Sequence, residues 1–348
     1  MTGRLVFEQV SKAFRAAVDE ARRFVGATMP NPPVGCALLD ENGTILAVGA
    51  HHRAGSGHAE RNALRLCAER GLTDRITTAI VTLEPCNHTG RTPPCTEGLL
   101  ATPVKTVWIA CPDPNPKVAG GGASRLEAEG REVRWLEREV TRIPAGPLLL
   151  AQCRGLIAPF IRWSVEGKTW LTVKQAVNID GLMTPPPGRT TFTSRQALDL
   201  AHRLRRATDA VVTAGGTVRA DLPGLDVRRV EDHVNRPQRM LVVCSRTKDV
   251  PRNWLTVAER RFDVIFSDSI EDVPKRLAEA GMLWALVEAG PTLLGEIRNR
   301  RLWDDWLRIA VRADGDEDFS VERRHDATPL ALFDELAGPI AAIQPDFV

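Results

Sequence analysis

Apolar residues at Val10, Phe14, Ala17, Val18 and Ala21 recur at helical spacing and predict a helix over 8–24. Pro30, Pro32 and Pro33 prevent its continuation, because proline lacks the N–H that a helix needs. Two apolar runs follow, 34–39 and 44–48, and read as strands. Asn42-Gly43 between them is a strong hairpin signal, since a tight two-residue turn needs positive φ at both positions. Residues 58–70 predict a helix stopped by Gly71. A strand over 79–83 runs straight into Pro85-Cys86; a short helix over 97–100 and a strand over 104–110 come next. Alternating strands and helices predict an α/β sandwich.

The pattern breaks at 142–147, where Pro144, Gly146 and Pro147 cluster. This break divides the chain into domains 1–145 and 146–348, and a length of 348 residues suits two domains. A second α/β unit is predicted, with strands at 169–177, 210–213, 239–243, 264–266 and 284–287 and helices at 194–206 and 292–299. Trp303 and Trp306, at helical spacing, are expected in the core.

Composition narrows the partners. The 46 basic and 44 acidic residues leave a net charge of +2, which argues against a nucleic-acid or anionic-membrane surface as the main partner. The seven cysteines are odd in number and scattered, so no disulfide framework is expected and a reducing cytoplasm is inferred. Cys36, Cys67, Cys111 and Cys244 sit in apolar contexts and are expected to be buried. The first residues lack the pattern of a signal peptide, and no apolar run approaches the roughly 20 residues that cross a bilayer.

The chemistry concentrates in two short segments. His58-Ala59-Glu60 opens a predicted helix, and Cys86-Asn87-His88-Thr89-Gly90-Arg91-Thr92-Pro93-Pro94-Cys95 follows a strand end. One His and two Cys suit a zinc ion that keeps an open position for water. Helix N-termini at both segments would favour thiolate over thiol. Glu60, not needed as a ligand, is placed to move protons between water and a leaving amine. A His-x-Glu alone is a common start of a surface helix; the order and spacing of the whole set is what points to a zinc deaminase. The familiar deaminase signature ends in Cys-x-x-Cys. Here eight residues separate the cysteines, which points to a subfamily.

These residues resemble the bifunctional riboflavin-biosynthesis deaminase/reductase family, RibD. The resemblance is carried by Pro30-Asn31-Pro32-Pro33-Val34-Gly35, by the stretch from His51 to Glu60, by Val81 through Cys95, and by Asp113-Pro114-Asn115-Pro116. It implies a cytidine-deaminase-like three-layer N-terminal domain and a C-terminal domain similar to dihydrofolate reductase. It implies zinc held by His58, Cys86 and Cys95, with Glu60 as proton shuttle. Asn31, His51, His88, Arg91, Asp113 and Asn115 would line the pocket of a diaminopyrimidinone bearing a ribosylamino 5′-phosphate. Asn31 can offer an amide to a pyrimidine edge, and Arg91 a fork of donors to a phosphate or carbonyl.

The second half carries further matches. They lie at Val173 through Gly181, at Thr193-Ser194, at Ala214 through Leu225 and at Glu288 through Gly295. The resemblance implies NADPH-dependent reduction of the ribosyl chain to ribityl. Lys174, Asp221, Leu225 and Glu288 would bind that substrate. Thr193, Ser194, Gly215, Gly216, Thr217 and Gly290 would follow the cofactor. A homo-oligomer, dimer or tetramer, is also implied. Three departures stand out. Asn178-Ile179-Asp180-Gly181 replaces Ser-Leu-Asp-Gly, and Val243-Cys244 stands where an acidic residue is usual. An acidic run at 314–318 takes the place of the late Pro-x-x-x-Gly loop and is expected to repel a phosphate. The acidic run raises an alternative, a deaminase with a silent or retasked second domain in a flavin-like or azapteridine pathway. A zinc-stabilised nucleic-acid module is a third reading. The glycine-rich run 119–123 lacks dinucleotide-loop spacing and reads as a loop.

Overall fold

The computed structural model describes residues 6–88, 93–114, 121–189 and 191–341. Contacts divide the chain into two compact units, Met1–Val165 and Glu166–Val348.

The first unit contains α1 (Phe7–Arg22), β1 (Gly35–Leu39), β2 (Ile45–Ala50), α2 (Ala59–Glu69), β3 (Thr78–Val81), α3 (Cys95–Leu100), β4 (Thr106–Ile109), α4 (Gly121–Ala128), β5 (Glu132–Trp135), α5 (Leu136–Glu139) and α6 (Gly146–Glu166). Its sheet has the order β2-β1-β3-β4-β5. The first three strands pair antiparallel, and β3, β4 and β5 run parallel. The hairpin forms as expected, but only Gly43, at φ +78, takes positive φ; Asn42 does not, and the Asp40 N–H bonds Thr44 O across residues 41–43 in place of a two-residue turn. Alternate residues of each strand face opposite layers. Cys36, Leu38, Ala79, Val81, Val107 and Ile109 pack with α2, α3 and α4. On the other face Trp108 meets Phe14 of α1 edge-on at 6.5 Å. The unit therefore has three layers.

Helix α2, which carries Glu60, lies unusually close to the sheet. A Cβ on Gly49 would fall 2.4 Å from the Ala63 nitrogen and 2.7 Å from the Ala59 carbonyl oxygen. Backbone cannot yield as a flexible side chain can. Gly49→Ala is expected to cost about 1–3 kcal/mol through overpacking, read as a lower melting temperature of the zinc-loaded protein. Because the displaced helix is capped by His58, an expected zinc donor, zinc retention on dialysis should fall with it.

The break at 142–147 is followed at once by α6, which the sequence pattern does not reveal. Ala145 takes φ +55, and the Gly146 N–H bonds Ile143 O as the helix begins. The helix lies with the first unit up to Val165, so the division by contacts falls at the last residue of α6 and not at 145/146. Gly121, Gly122 and Ala123 form the first turn of α4, which corrects the reading of 119–123 as loop throughout; residues 115–120 lie outside the described residues.

The second unit contains β6 (Trp170–Val177), α7 (Arg195–Ala207), β7 (Ala210–Ala214), α8 (Gly215–Asp221), β8 (Arg239–Cys244), α9 (Arg252–Glu259), β9 (Phe262–Ser267), α10 (Val273–Glu279), β10 (Trp284–Val287), α11 (Pro291–Asn299), β11 (Asp305–Val311), β12 (Glu317–Arg323) and α12 (Ala337–Ala341). The strand order is β12-β11-β6-β10-β7-β8-β9. All pairs are parallel except β11 with β12, an antiparallel edge hairpin. Trp306 is 2% exposed but stands on β11, so its helical spacing from Trp303 is incidental. Cys36, Cys67 and Cys111 are buried as expected, whereas Cys244, at the end of β8, is only half-buried.

Candidate active sites

Three donors converge in the first unit. His58 is the N-cap of α2, and Cys95 is the first residue of α3. Cys86 follows β3 and accepts the Cys95 backbone N–H at 3.4 Å. His58 Nδ1 lies 3.5 Å from Cys86 Sγ and 3.4 Å from Cys95 Sγ. All three donor atoms fall within 4.8 Å of one another. Tetrahedral zinc, with bonds of about 2.0 Å to nitrogen and 2.3 Å to sulfur, sets N···S edges of about 3.5 Å. The donors fit such an ion.

The thiols hold opposite positions on the proton scale. A hydrogen bond from Cys95, assisted by His58, draws Cys86 down to about 4, while the same bond and burial push Cys95 up. The pair shares one proton where a dication would stabilise two thiolates. Glu60, in the first turn of α2, is 3% exposed. Burial raises its carboxyl above the usual range, which suits a group that must both accept and return a proton.

His58, Cys86 and Glu60 open on a cavity of about 330 Å³ that also receives Asn31, His51, His88 and Asp113. Burial pulls His51 down to about 4, so its ring is neutral. Its Nδ1 lies 3.1 Å from Gly57 O, an acceptor only, and must carry the proton. Nε2 then accepts from Asn31 Nδ2, also at 3.1 Å. This chain fixes the Asn31 amide, leaving Oδ1 and one N–H for another partner. Arg91 and Asn115 lie outside the described residues.

Among the lining residues that sequence reasoning missed are Glu84, Phe160 and Trp163. Glu84 is 4% exposed and works through backbone. It accepts the N–H groups of Gly122 at 3.1 Å and Ala123 at 2.9 Å, and that of Asp113 at 3.3 Å. It thereby ties the start of α4 and the Asp113 segment to the strand end that bears Cys86. Gly122 is required there, because a Cβ would sit 1.9 Å from Pro85 O.

In the second unit Lys174 on β6 and Glu288 after β10 meet at 3.1 Å. Arg205 on α7, also missed by the sequence reading, grips the same carboxylate from Nε at 2.5 Å and from Nη2 at 3.2 Å. Burial opposes ionisation of Glu288, but Arg205 and Lys174 outweigh it and hold the carboxyl at about 2. A depressed carboxyl stabilises the fold above its unfolded value, near 4.5, and loses that contribution as pH falls toward 2. Glu288→Gln removes the carboxylate that both Lys174 and Arg205 grip, at a cost of about 3–5 kcal/mol at neutral pH. The gap between wild-type and variant melting temperatures should close on acidification through that window.

The helices α8 and α11 start at the carboxyl ends of the adjacent strands β7 and β10, the usual edge for ligands in such sheets. Neither N-cap residue, Ala214 or Gly290, supplies a side-chain cap. Thr217 Oγ1 accepts the Gly290 N–H at 2.9 Å and links the two starts. Gly216 has nothing within 4 Å of an added Cβ. Uncapped N–H groups beside an open glycine fit a cofactor phosphate, so the residues agree with NADPH. Thr193 is half-buried, and Ser194 caps α7 through Ala197 N. Asp221 is exposed at the end of α8, whereas Leu225, with φ +51, is 3% exposed and packed in a hydrophobic cluster.

The acidic run is tied into the second unit by one arginine and one helix start. Asp314, Asp316 and Asp318 all pair with Arg312. Glu317 accepts the Ser194 N–H at 2.6 Å and fastens the hairpin to the start of α7. The carboxylates are engaged with the protein itself.

Known proteins resemble this chain across both units. Residues 7–111 match the cytidine and deoxycytidylate deaminase zinc-binding region, and residues 169–311 match the RibD C-terminal domain. Riboflavin biosynthesis protein RibD of Mycobacterium tuberculosis is 36% identical over 292 residues, spanning 83% of this chain and 80% of that protein. Its Escherichia coli counterpart is 31% identical, spanning 84% of each chain. Among solved structures, Acinetobacter baumannii RibD shares 29% identity at a TM-score of 0.71, covering 88% and 87% of the two chains. A Thermotoga maritima protein titled diaminohydroxyphosphoribosylaminopyrimidine deaminase/5-amino-6-(5-phosphoribosylamino)uracil reductase shares 26% at 0.71, covering 87% and 86%. Neither a retasked second domain nor a nucleic-acid module finds support in these matches. With the zinc ligands, the buried glutamate and both halves of the sequence in agreement, this chain belongs to the RibD family of riboflavin biosynthesis proteins.

Proposed function

We propose that the chain deaminates 2,5-diamino-6-ribosylamino-4(3H)-pyrimidinone 5′-phosphate and then reduces the ribosyl chain of the product to ribityl with NADPH. The observation that carries the reading is a three-donor site of which His58 and Cys86 share one cavity with buried Glu60 and the oriented amide of Asn31.

Zinc held by His58, Cys86 and Cys95 supplies Lewis acidity toward water. Glu60 takes the proton of the attacking water and returns it to the departing amino nitrogen. A C–O bond forms, the C–N bond breaks, one water is consumed and ammonia leaves. Asn31 presents its remaining amide groups to the pyrimidine edge, and His51 holds that amide in place. His88, Arg91, Asp113 and Asn115 complete the substrate pocket on this reading.

In the second unit NADPH, when bound, supplies a hydride. Gly215, Gly216, Thr217 and Gly290 receive it by backbone and hydroxyl groups, with Thr193 and Ser194 further along the groove. Lys174 and Glu288 bind and orient the substrate, together with Asp221 and Leu225. The deaminase activity is assigned to the first unit, which runs through α6 and so extends past the 145/146 boundary expected from sequence, and the reductase activity to the second. Seven free cysteines accord with a cytoplasmic setting, and no described helix is long and apolar enough to cross a membrane. A homo-oligomer, dimer or tetramer, rests on the family resemblance alone.

A two-stage assay tests the reading. Zinc-loaded protein is given the diaminopyrimidine nucleotide, ammonia is measured, and NADPH is then added. Ammonia release followed by equimolar NADPH oxidation is expected. Absence of ammonia overturns the first activity, and ammonia without NADPH oxidation overturns the second.

A further inference from the structure

Helix α6 places two aromatic side chains where no sequence motif announces them. Phe160 and Trp163 are three residues apart and therefore share a face of the helix. Both line the cavity that contains His58 and Glu60. Their ring centroids are 5.9 Å apart with planes inclined by 30°. Both are half-buried, whereas Ile161 and Val165 on the same turns are exposed at 36% and 57%. Pro159 lacks the N–H that would pair with the Gly155 carbonyl, so one helical rung is missing just before Phe160.

The lining divides by chemistry. Asn31, His51 and Glu60 provide polar groups, and Phe160 and Trp163 provide wide apolar faces. A pyrimidinone divides in the same way, with polar atoms around its edge and two flat π faces. Edge groups alone fix the direction of a ring but not its plane. We propose that Phe160 and Trp163 form the wall against which the pyrimidine ring packs, and that they make the site selective for a flat heteroaromatic substrate. The proposal rests on the deaminase reading of this site. The two residues are positioning residues: they set the ring plane and exclude water, and they move no proton.

The test uses the full-length, zinc-loaded protein and steady-state ammonia release from the diaminopyrimidine nucleotide. Stacking of a base on an aromatic ring corresponds to a loss of about five- to a hundred-fold in affinity on truncation. Phe160→Ala and Trp163→Ala should each raise KM within that range while kcat stays within about three-fold. Trp163→Phe should recover most of the loss. Zinc content and NADPH-dependent turnover of separately supplied deaminated product should match wild type, which guards against misfolding. Unchanged KM in both alanine variants overturns the proposal, as does loss of kcat accompanied by loss of zinc. Wild-type ammonia release checks the deaminase reading separately. Its absence overturns both readings, while normal release with unaltered variant KM overturns this one alone.

Discussion

Glu60→Gln is expected to cut ammonia release by roughly 10²–10⁴-fold, the range associated with a positioned general acid–base. Glutamine keeps the shape and burial of the side chain but can neither take a proton from water nor hand one to nitrogen. The three zinc donors are untouched, so the metal content should stay at one per chain. KM should change little, because substrate affinity comes from other parts of the cavity. NADPH oxidation with the deaminated product should proceed at the wild-type rate, since the second unit has its own site. Retained deaminase turnover in a protein shown to carry zinc would falsify the shuttle.

Removing a ligand should have the second large effect. Cys95 is 1% exposed at the first position of α3, and its neutral replacement Cys95→Ser offers zinc a poor donor. Apparent binding energies of zinc sites are on the order of 10 kcal/mol and couple directly to folding. Losing one of three protein ligands should therefore empty the site on dialysis, abolish detectable ammonia release and lower the melting temperature of the first unit. NADPH turnover of supplied product again serves as the internal control. Cys86→Ser should behave alike. One equivalent of zinc surviving dialysis in either variant would remove that residue from the ligand set.

The sequence was most legible where chemistry is local. His58, Glu60, Cys86 and Cys95 lie in short segments whose spacing carries meaning, and the structure brings their side chains together. The hairpin at Asn42-Gly43 was readable because the turn demands particular residues. Helix α6 was not. Gly155 and Pro159 interrupt it, and buried residues such as Leu149, Leu150, Cys153, Leu156 and Ile157 spread around it without a clear stripe. Its cavity aromatics were hidden with it. Arg205 was lost among Arg203 and Arg206 on the same helix; only burial against Glu288 distinguishes it. Glu84 reads as one more acidic residue until its three backbone partners are known. The acidic run was correctly seen as charged, but sequence could not reveal that Arg312 and Ser194 would engage it.

The contact among Lys174, Arg205 and Glu288 is arithmetically lopsided. Two basic side chains meet one carboxylate that stays ionised down to about pH 2, so the trio holds one more basic group than acidic. A phosphorylated sugar brings the opposite sign. The cluster is thus a brace between β6, β10 and α7, and on the proposed function it would also draw the substrate, with its pull damped as ionic strength shortens the reach of the field.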